Sequence, residues 1–143
     1  LVAFTTALAV AAADTLASEI GVLAPAPVLI TSPGTRVVPG TDGGISAIGS
    51  LAAALSALSM SMISLAVFVL VGWPEGFGWK QAGNFDFILL LLPTALGFAG
   101  CQLDSVLGAT AEKRGWLGNG GVNFVASGIS VMISLPLLEF LRN

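Results

Sequence analysis

Long runs of uncharged residues constrain the fold of this chain more than any other feature. No residue is charged in the ranges 43–74, 87–103 and 115–138. A membrane-spanning helix needs about 20 apolar residues, so each run can supply one. Charged residues make up 9% of the chain and hydrophobic residues 55%, whereas a soluble domain carries roughly 25% charge. This composition predicts an integral membrane protein in a lipid bilayer and excludes a soluble enzyme.

The sequence predicts an all-α polytopic membrane fold with about four transmembrane helices and a long first loop. The helices are expected near residues 1–23, 45–72, 86–110 and 122–141. Pro25 and Pro27 end the first helix because proline cannot continue the hydrogen-bond ladder. A three-span fold with a half-inserted first helix is the alternative. Residues 1–143 are interpreted as one membrane domain.

Four spans place the first and third loops on the same side of the membrane. The three loops are expected at residues 24–44, 73–85 and 111–121. Arg36, Lys113 and Arg114 give the side of the first and third loops a small excess of cations. The positive-inside rule therefore favours a cytoplasmic or stromal location for this side.

The residue inventory limits the chemistry that this protein can perform. The sequence contains no histidine, no tyrosine and a single cysteine, Cys101. These counts exclude a histidine base, a disulfide framework and a cysteine-rich zinc site. The net charge of −3 also argues against a nucleic-acid partner. Any site must therefore use carboxylates, hydroxyls, amides, backbone N–H groups or the few cations.

Three acids lie at the first-loop ends of predicted helices. Asp14 and Glu19 are about 140° apart around the first helix, and both can flank one cavity. Intramembrane acids are costly and usually face a polar cavity. Asp104 lies near the end of the third helix, on a stripe with Gly97 and Gly108. That stripe fits either a site or a close helix crossing with one acid at its wet end.

Two glycine-rich segments lead into the second and fourth helices, at residues 39–44 (PGTDGG) and 118–124 (GNGGVNF). Glycines allow backbone N–H groups at a helix start to converge on an anion. Asn119 is interpreted as a cap or a ligand, and Asn123 lies in the first turn. Carboxylates and phosphates repel each other unless a divalent cation bridges them. The shared location therefore predicts Mg²⁺-dependent phosphoryl transfer or diphosphate binding.

Four motifs in this order resemble the transmembrane protein nineteen family, also called domain of unknown function ninety-two. They are residues 13–21 (ADTLASEIG), 39–44, 102–110 (QLDSVLGAT) and 118–124. The family includes the phytyl-phosphate kinase of tocopherol synthesis in chloroplasts and cyanobacteria. Its members are longer, so this chain is expected to be the C-terminal part of the family domain. Gly120 stands where many members have an acid.

The resemblance implies a membrane isoprenyl-phosphate kinase in the chloroplast envelope or thylakoid. Such an enzyme transfers a phosphoryl group from a nucleoside triphosphate to a lipid monophosphate such as phytyl phosphate. The resemblance implies that Asp14, Glu19 and Asp104 are catalytic and hold Mg²⁺. The residues implied to bind substrate phosphates are Arg36, Gly40, Thr41, Gly43, Gly44, Lys113, Asn119 and Asn123. The lipid tail is expected to lie between helices along the small-residue stripe.

Two other functions stay open at this point. The chain could be a non-catalytic subunit that packs in a larger photosynthetic or respiratory complex through its Ser, Ala and Gly faces. It could also carry ions or protons on Asp14 and Glu19, which would require acids spread through the membrane depth. A kinase predicts an open polar pocket in which the carboxyl groups of Asp14 and Asp104 reach one shared cation.

Overall fold

The computed structural model describes residues 1–71 and 87–142 of the chain. Its four long helices are α1 (Val2–Gly21), α2 (Ala47–Val71), α3 (Phe87–Leu107) and α4 (Asn119–Arg142). A single π-helical turn, Gly108–Glu112, continues α3. All four helices are long and apolar enough to cross a membrane, which confirms the predicted four-span helical fold. The predicted second loop, residues 73–85, lies outside the described residues.

The fourth helix begins earlier than the sequence predicted. The carbonyl oxygen of Gly118 accepts hydrogen bonds from the N–H groups of Gly121 and Val122, at 2.8 and 3.0 Å. The glycine-rich segment therefore forms the first turn of α4 and not a loop before it. As a result, Asn119 and Asn123 lie one turn apart on the same face of this helix.

The long first loop contains a small antiparallel sheet that the sequence analysis did not predict. Its strands are β1 (Val28–Leu29), β2 (Ser32–Arg36) and β3 (Gly44–Ile45), in the order β2-β1-β3. The N–H group of Ile30 also donates a hydrogen bond of 2.9 Å to the carbonyl oxygen of Gly43. These bonds fold the loop back on itself and pair its glycine-rich end with the segment of β1.

Small residues hold the helices close together around α1, which packs against α2, α3 and α4. The alanines at this crossing, Ala9, Ala13, Ala53 and Ala57, are completely buried. Gly97 has no space for a side chain, because a Cβ at this position would lie 2.6 Å from the Cβ of Ala9. Close approach through small residues is how membrane helices gain packing contacts without a hydrophobic driving force.

This packing contradicts the expectation that the lipid tail lies along the small-residue stripe of α3. The stripe that carries Gly97 was expected to leave room for the tail, but Ala9 and Ala57 fill the space beside Gly97. The stripe is therefore a close helix crossing at its inner end. At its other end, Asp104 and Gly108 lie in the wall of a cavity.

Replacing Gly97 with alanine is expected to destabilise the protein by about 1–3 kcal/mol, because the new methyl group overpacks the crossing of α1 and α3. Gly128→Ala is the matched control, since Gly128 also lies inside a helix and a Cβ added there would have no atom within 4 Å. Thermal unfolding of the full-length protein in detergent measures both. Equal unfolding temperatures for the two variants would contradict the close crossing.

Candidate functional site

A polar cavity of about 240 Å³ lies where the first-loop ends of the four helices meet. Its wall is formed by α1, the first loop, the start of α2, the end of α3 with its π-turn, and the start of α4. The predicted site residues that line it are Asp14, Gly40, Thr41, Gly43, Gly44, Asp104, Asn119 and Asn123. The four sequence motifs thus come together in one place, as their shared side of the membrane predicted.

The carboxyl groups of Asp14 and Asp104 lie close together across the interface of α1 and α3, and both line the cavity. Both residues are partly buried, and Oδ1 of Asp104 is buried without a hydrogen-bond donor among the described residues. Two ionised carboxylates so close together repel each other, so the pair requires a shared proton or a cation. A buried oxygen without a hydrogen-bond donor also lowers stability, and a ligand that bound to it would remove this cost.

The carboxyl pair fits Mg²⁺ better than a metal held by protein groups alone. Among the residues that the structure describes, no group of three or more Asp, Glu or Cys side chains is placed to hold a metal ion. Structural zinc and calcium sites need more protein ligands than two. Mg²⁺, in contrast, is commonly held by one or two carboxylates together with water and substrate phosphate oxygens. Asp14 and Asp104 therefore suit a metal that arrives with a phosphorylated substrate.

Two further acids, Asp42 and Glu112, line the cavity and were not among the predicted site residues. Glu112 follows Asp104 and Gly108 at four-residue spacing, which is the signal in the sequence that could have identified it. The π-turn carries Glu112 at the end of this row, and such turns are frequent at functional sites. No Lys or Arg is among the described residues of the cavity wall. The acids of this wall therefore repel an anionic ligand unless cations accompany it.

Gly43 lets the first loop contact the end of α3 directly. Its φ of 74° lies in the left-handed region, which a residue with a side chain rarely adopts. A Cβ at this position would also overlap the Cβ of Ala109 and lie 2.7 Å from the carbonyl oxygen of Ser105. Backbone conformation and close contact both require glycine here, and together they fix this side of the cavity.

The first loop, which lines the same cavity as the acid pair, has several N–H groups without an acceptor. The N–H groups of Thr41 and Gly44 are already used, because they donate to Val38 and Thr41 at 3.1 and 2.8 Å. In the described parts of the chain, the N–H groups of Gly40, Asp42 and Gly43 have no acceptor. The loop can therefore offer three donors to an anion, in the manner of a phosphate-binding turn.

Three of the predicted site residues lie outside the cavity wall. Glu19 is exposed on α1, on a different side of the helix from Asp14, as their angular separation requires. Arg36 is exposed on the outer strand β2, and Lys113 is exposed just after the π-turn. In this conformation none of the three forms part of the acid-lined cavity.

Gly120, the position at which the chain departs from the motif, also lies outside the cavity wall. The neighbouring amides of Asn119 and Asn123 line the cavity, whereas Gly120 is exposed, with no atom within 4 Å of a Cβ position. Consecutive helix residues are about 100° apart, so the side chain of an acid at position 120 would project from a different face of α4 than the two amides. Glycine at this position leaves the observed cavity wall intact.

Comparison with known proteins identifies relatives of this chain. Residues 1–131 match the family described as integral membrane protein DUF92. The chain is 35% identical over 136 residues to an uncharacterized membrane protein of Methanocaldococcus jannaschii. The aligned region covers 94% of this chain and 50% of that protein, so the chain spans about half the length of this relative. No solved structure matches the chain.

Proposed function

This chain belongs to the DUF92 family of integral membrane proteins, and we propose that it contributes the active site of an isoprenyl-phosphate kinase. In the proposed reaction, a terminal phosphate oxygen of an isoprenyl monophosphate attacks the γ-phosphorus of a nucleoside triphosphate. The bond from the γ-phosphorus to the β-phosphate oxygen breaks, which releases the nucleoside diphosphate and an isoprenyl diphosphate. The proximity of Asp14 and Asp104 in a polar cavity at the membrane surface carries this proposal.

The acid pair supports a role for Mg²⁺ because it supplies the one or two carboxylates that this ion takes in phosphoryl-transfer enzymes. Held by these carboxylates together with the substrates, Mg²⁺ would supply positive charge that stabilises the transferring phosphoryl group. We assign the ion to Asp14 and Asp104. Glu19 is left out of this assignment because it is exposed and does not line the cavity.

The remaining polar groups of the cavity suit phosphate binding. The free N–H groups of Gly40, Asp42 and Gly43 can donate hydrogen bonds to phosphate oxygens. The side-chain amides of Asn119 and Asn123, which also line the cavity, can donate further hydrogen bonds. A phosphate monoester is already ionised at neutral pH and needs no strong base before it attacks. A site without histidine is therefore sufficient for this chemistry.

The cavity favours the kinase over the two other functions. A scaffold subunit has no need for two adjacent acids at the wall of an open cavity, where their burial lowers stability. An ion carrier requires acids through the membrane depth, but Asp14, Asp42, Asp104 and Glu112 all lie at one end of the bundle. Because a relative occurs in an archaeon, membership of the family does not require a chloroplast. The proposed substrate is an isoprenyl monophosphate, of which phytyl phosphate is one example.

The experiment that tests the proposal is diphosphate formation by the full-length protein in membranes. Isoprenyl monophosphate is supplied with ATP, CTP, GTP or UTP, in the presence of Mg²⁺ or of EDTA. Conversion that depends on Mg²⁺ is the expected result. Absence of conversion with all four nucleotides would exclude the kinase.

Arg36 and Lys113 are expected to attract the nucleotide from solution and not to act on the reacting phosphates. Arg36→Ala should therefore raise the KM for the nucleotide at about 10 mM ionic strength, where the Debye length is about 30 Å. The increase should disappear near 1 M salt, where that length is about 3 Å, and kcat should not change. Steady-state kinetics at the two ionic strengths measure the effect. A loss of kcat that persists at high salt would place Arg36 in the reacting centre.

A further inference from the structure

A second, smaller opening leads from the acid pair towards the lipid. This crevice of about 90 Å³ lies between α1 and α4 and shares Asp14, Asp104 and Asn123 with the large cavity. Its other lining residues include Ala11 and Ser127. Because the crevice and the cavity share three residues, a ligand bound at the acid pair can extend into both.

The crevice runs from the membrane surface towards the membrane interior. Ser127 is one helical turn deeper than Asn123 on α4, and Ala11 is almost one turn deeper than Asp14 on α1. At 1.5 Å per residue these steps correspond to about 4–6 Å. Ala11 and Thr15 are exposed on a membrane-spanning helix, so this part of the crevice opens to the side.

The seam between α1 and α2 at the cavity is closed by close backbone contact. There α1 and α2 touch, because a Cβ on Gly49 would lie 3.0 Å from the carbonyl oxygen of Ala17 and 3.1 Å from the Cα of Gly21. Deeper in the bundle, Ala9 and Ala57 fill the space beside Gly97. These two places are closed, whereas the crevice between α1 and α4 begins at the acid pair itself.

We propose that the isoprenyl chain of the substrate passes through this crevice, so that its phosphate lies at Asp14 and Asp104 while its tail stays in the bilayer beside Ala11 and Ser127. This inference rests on the proposed function and adds the path of the lipid. Removing an apolar chain from the bilayer is unfavourable, so a site at the membrane surface must receive such a substrate from the side. The small side chains of Ala11 and Ser127 leave room for the chain, and the polar end of the crevice meets the phosphate.

Large side chains in the crevice provide the first test, in the full-length protein. Ala11→Phe and Ser127→Phe should each reduce conversion of a long-chain isoprenyl monophosphate by at least about tenfold, equivalent to about 1.4 kcal/mol. Conversion of isopentenyl monophosphate, which is short and soluble, should change little. Ala66→Phe and Ser59→Phe are matched controls at exposed positions of α2. Unchanged long-chain conversion in both crevice variants would overturn the proposed path.

Photocrosslinking gives a second test that does not depend on catalysis. An isoprenyl monophosphate with a diazirine in its first isoprene unit is added to membranes containing the wild-type protein, and labelled peptides are identified by mass spectrometry. Label is expected in residues 10–15 and 123–127, and excess unlabelled monophosphate should displace it while the corresponding alcohol should not. Equal labelling of the residues around Ala66 would contradict the proposed path of the isoprenyl chain through the crevice. If neither substrate is converted, the kinase fails, but the labelling pattern still decides the lipid path.

Discussion

Asp14→Asn is expected to abolish diphosphate formation and to leave a folded protein in the membrane. The amide keeps the size of the side chain and can still contact Asp104, but it loses the charge that holds Mg²⁺. Electrostatic stabilisation is the largest contribution to phosphoryl transfer, so the rate should fall by at least about 10²–10³. The measurement is conversion of isoprenyl monophosphate in membranes that contain equal amounts of each variant.

Two matched substitutions make this result specific. Glu139→Gln removes an exposed acid from α4, far along the chain from the site, and should leave the rate unchanged. Glu19→Gln changes an acid of the same helix that does not line the cavity, so a small effect is expected there as well. If Glu19→Gln lowered the rate as much as Asp14→Asn does, Glu19 would belong to the metal site. Thermal unfolding controls for stability, and removal of a membrane charge should not lower it.

Gly43→Ala is expected to detach the first loop from α3 and to remove most of the activity. The alanine must adopt a positive φ, which costs roughly 1–2 kcal/mol. Its methyl group would also overlap Ala109 and the backbone of Ser105, and overpacking of this kind costs about 1–3 kcal/mol more. The loop can avoid both penalties only by moving away, which takes the free N–H groups of Gly40, Asp42 and Gly43 away from the acid pair.

Gly40→Ala is the control for Gly43→Ala. Gly40 has a φ of 86°, but no atom lies within 4 Å of its Cβ position, so this variant carries the backbone strain without the overlap. Trypsin cleavage after the exposed Arg36 measures how firmly the loop is held. Cleavage should be fastest in Gly43→Ala. Identical cleavage and activity in the two variants would show that the contact with Ala109 does not matter.

The sequence was sufficient for the helices because the bilayer fixes both their length and their lack of charge. It also placed Asp14, Asp104 and both glycine-rich segments on one side, since the number of spans determines which loops share a side. That the chain is the C-terminal part of a longer family domain stays a prediction.

Details that depend on tertiary contacts could not be predicted from the sequence. The spacing of Gly97 and Asp104 predicted that they share one stripe of α3. It did not predict that Ala9 of α1 packs against the Gly97 end, or that a cavity lies at the Asp104 end. The strands of the first loop are too short, at two to five residues, to produce an alternating pattern. Because the path of this loop was unknown, Arg36 was assigned to the substrate phosphates, whereas it is exposed on the edge strand β2, outside the cavity wall.

The central claim is that a nucleotide γ-phosphate is transferred to a lipid monophosphate at the pair of Asp14 and Asp104. The most direct measurement uses purified full-length protein in liposomes, with nucleotide labelled at the γ-phosphate and unlabelled isoprenyl monophosphate. The account predicts label in the isoprenyl diphosphate with Mg²⁺, none with EDTA and none with Asp104→Asn. Lipid without label after incubation with each of the four common nucleotides and Mg²⁺ would contradict it.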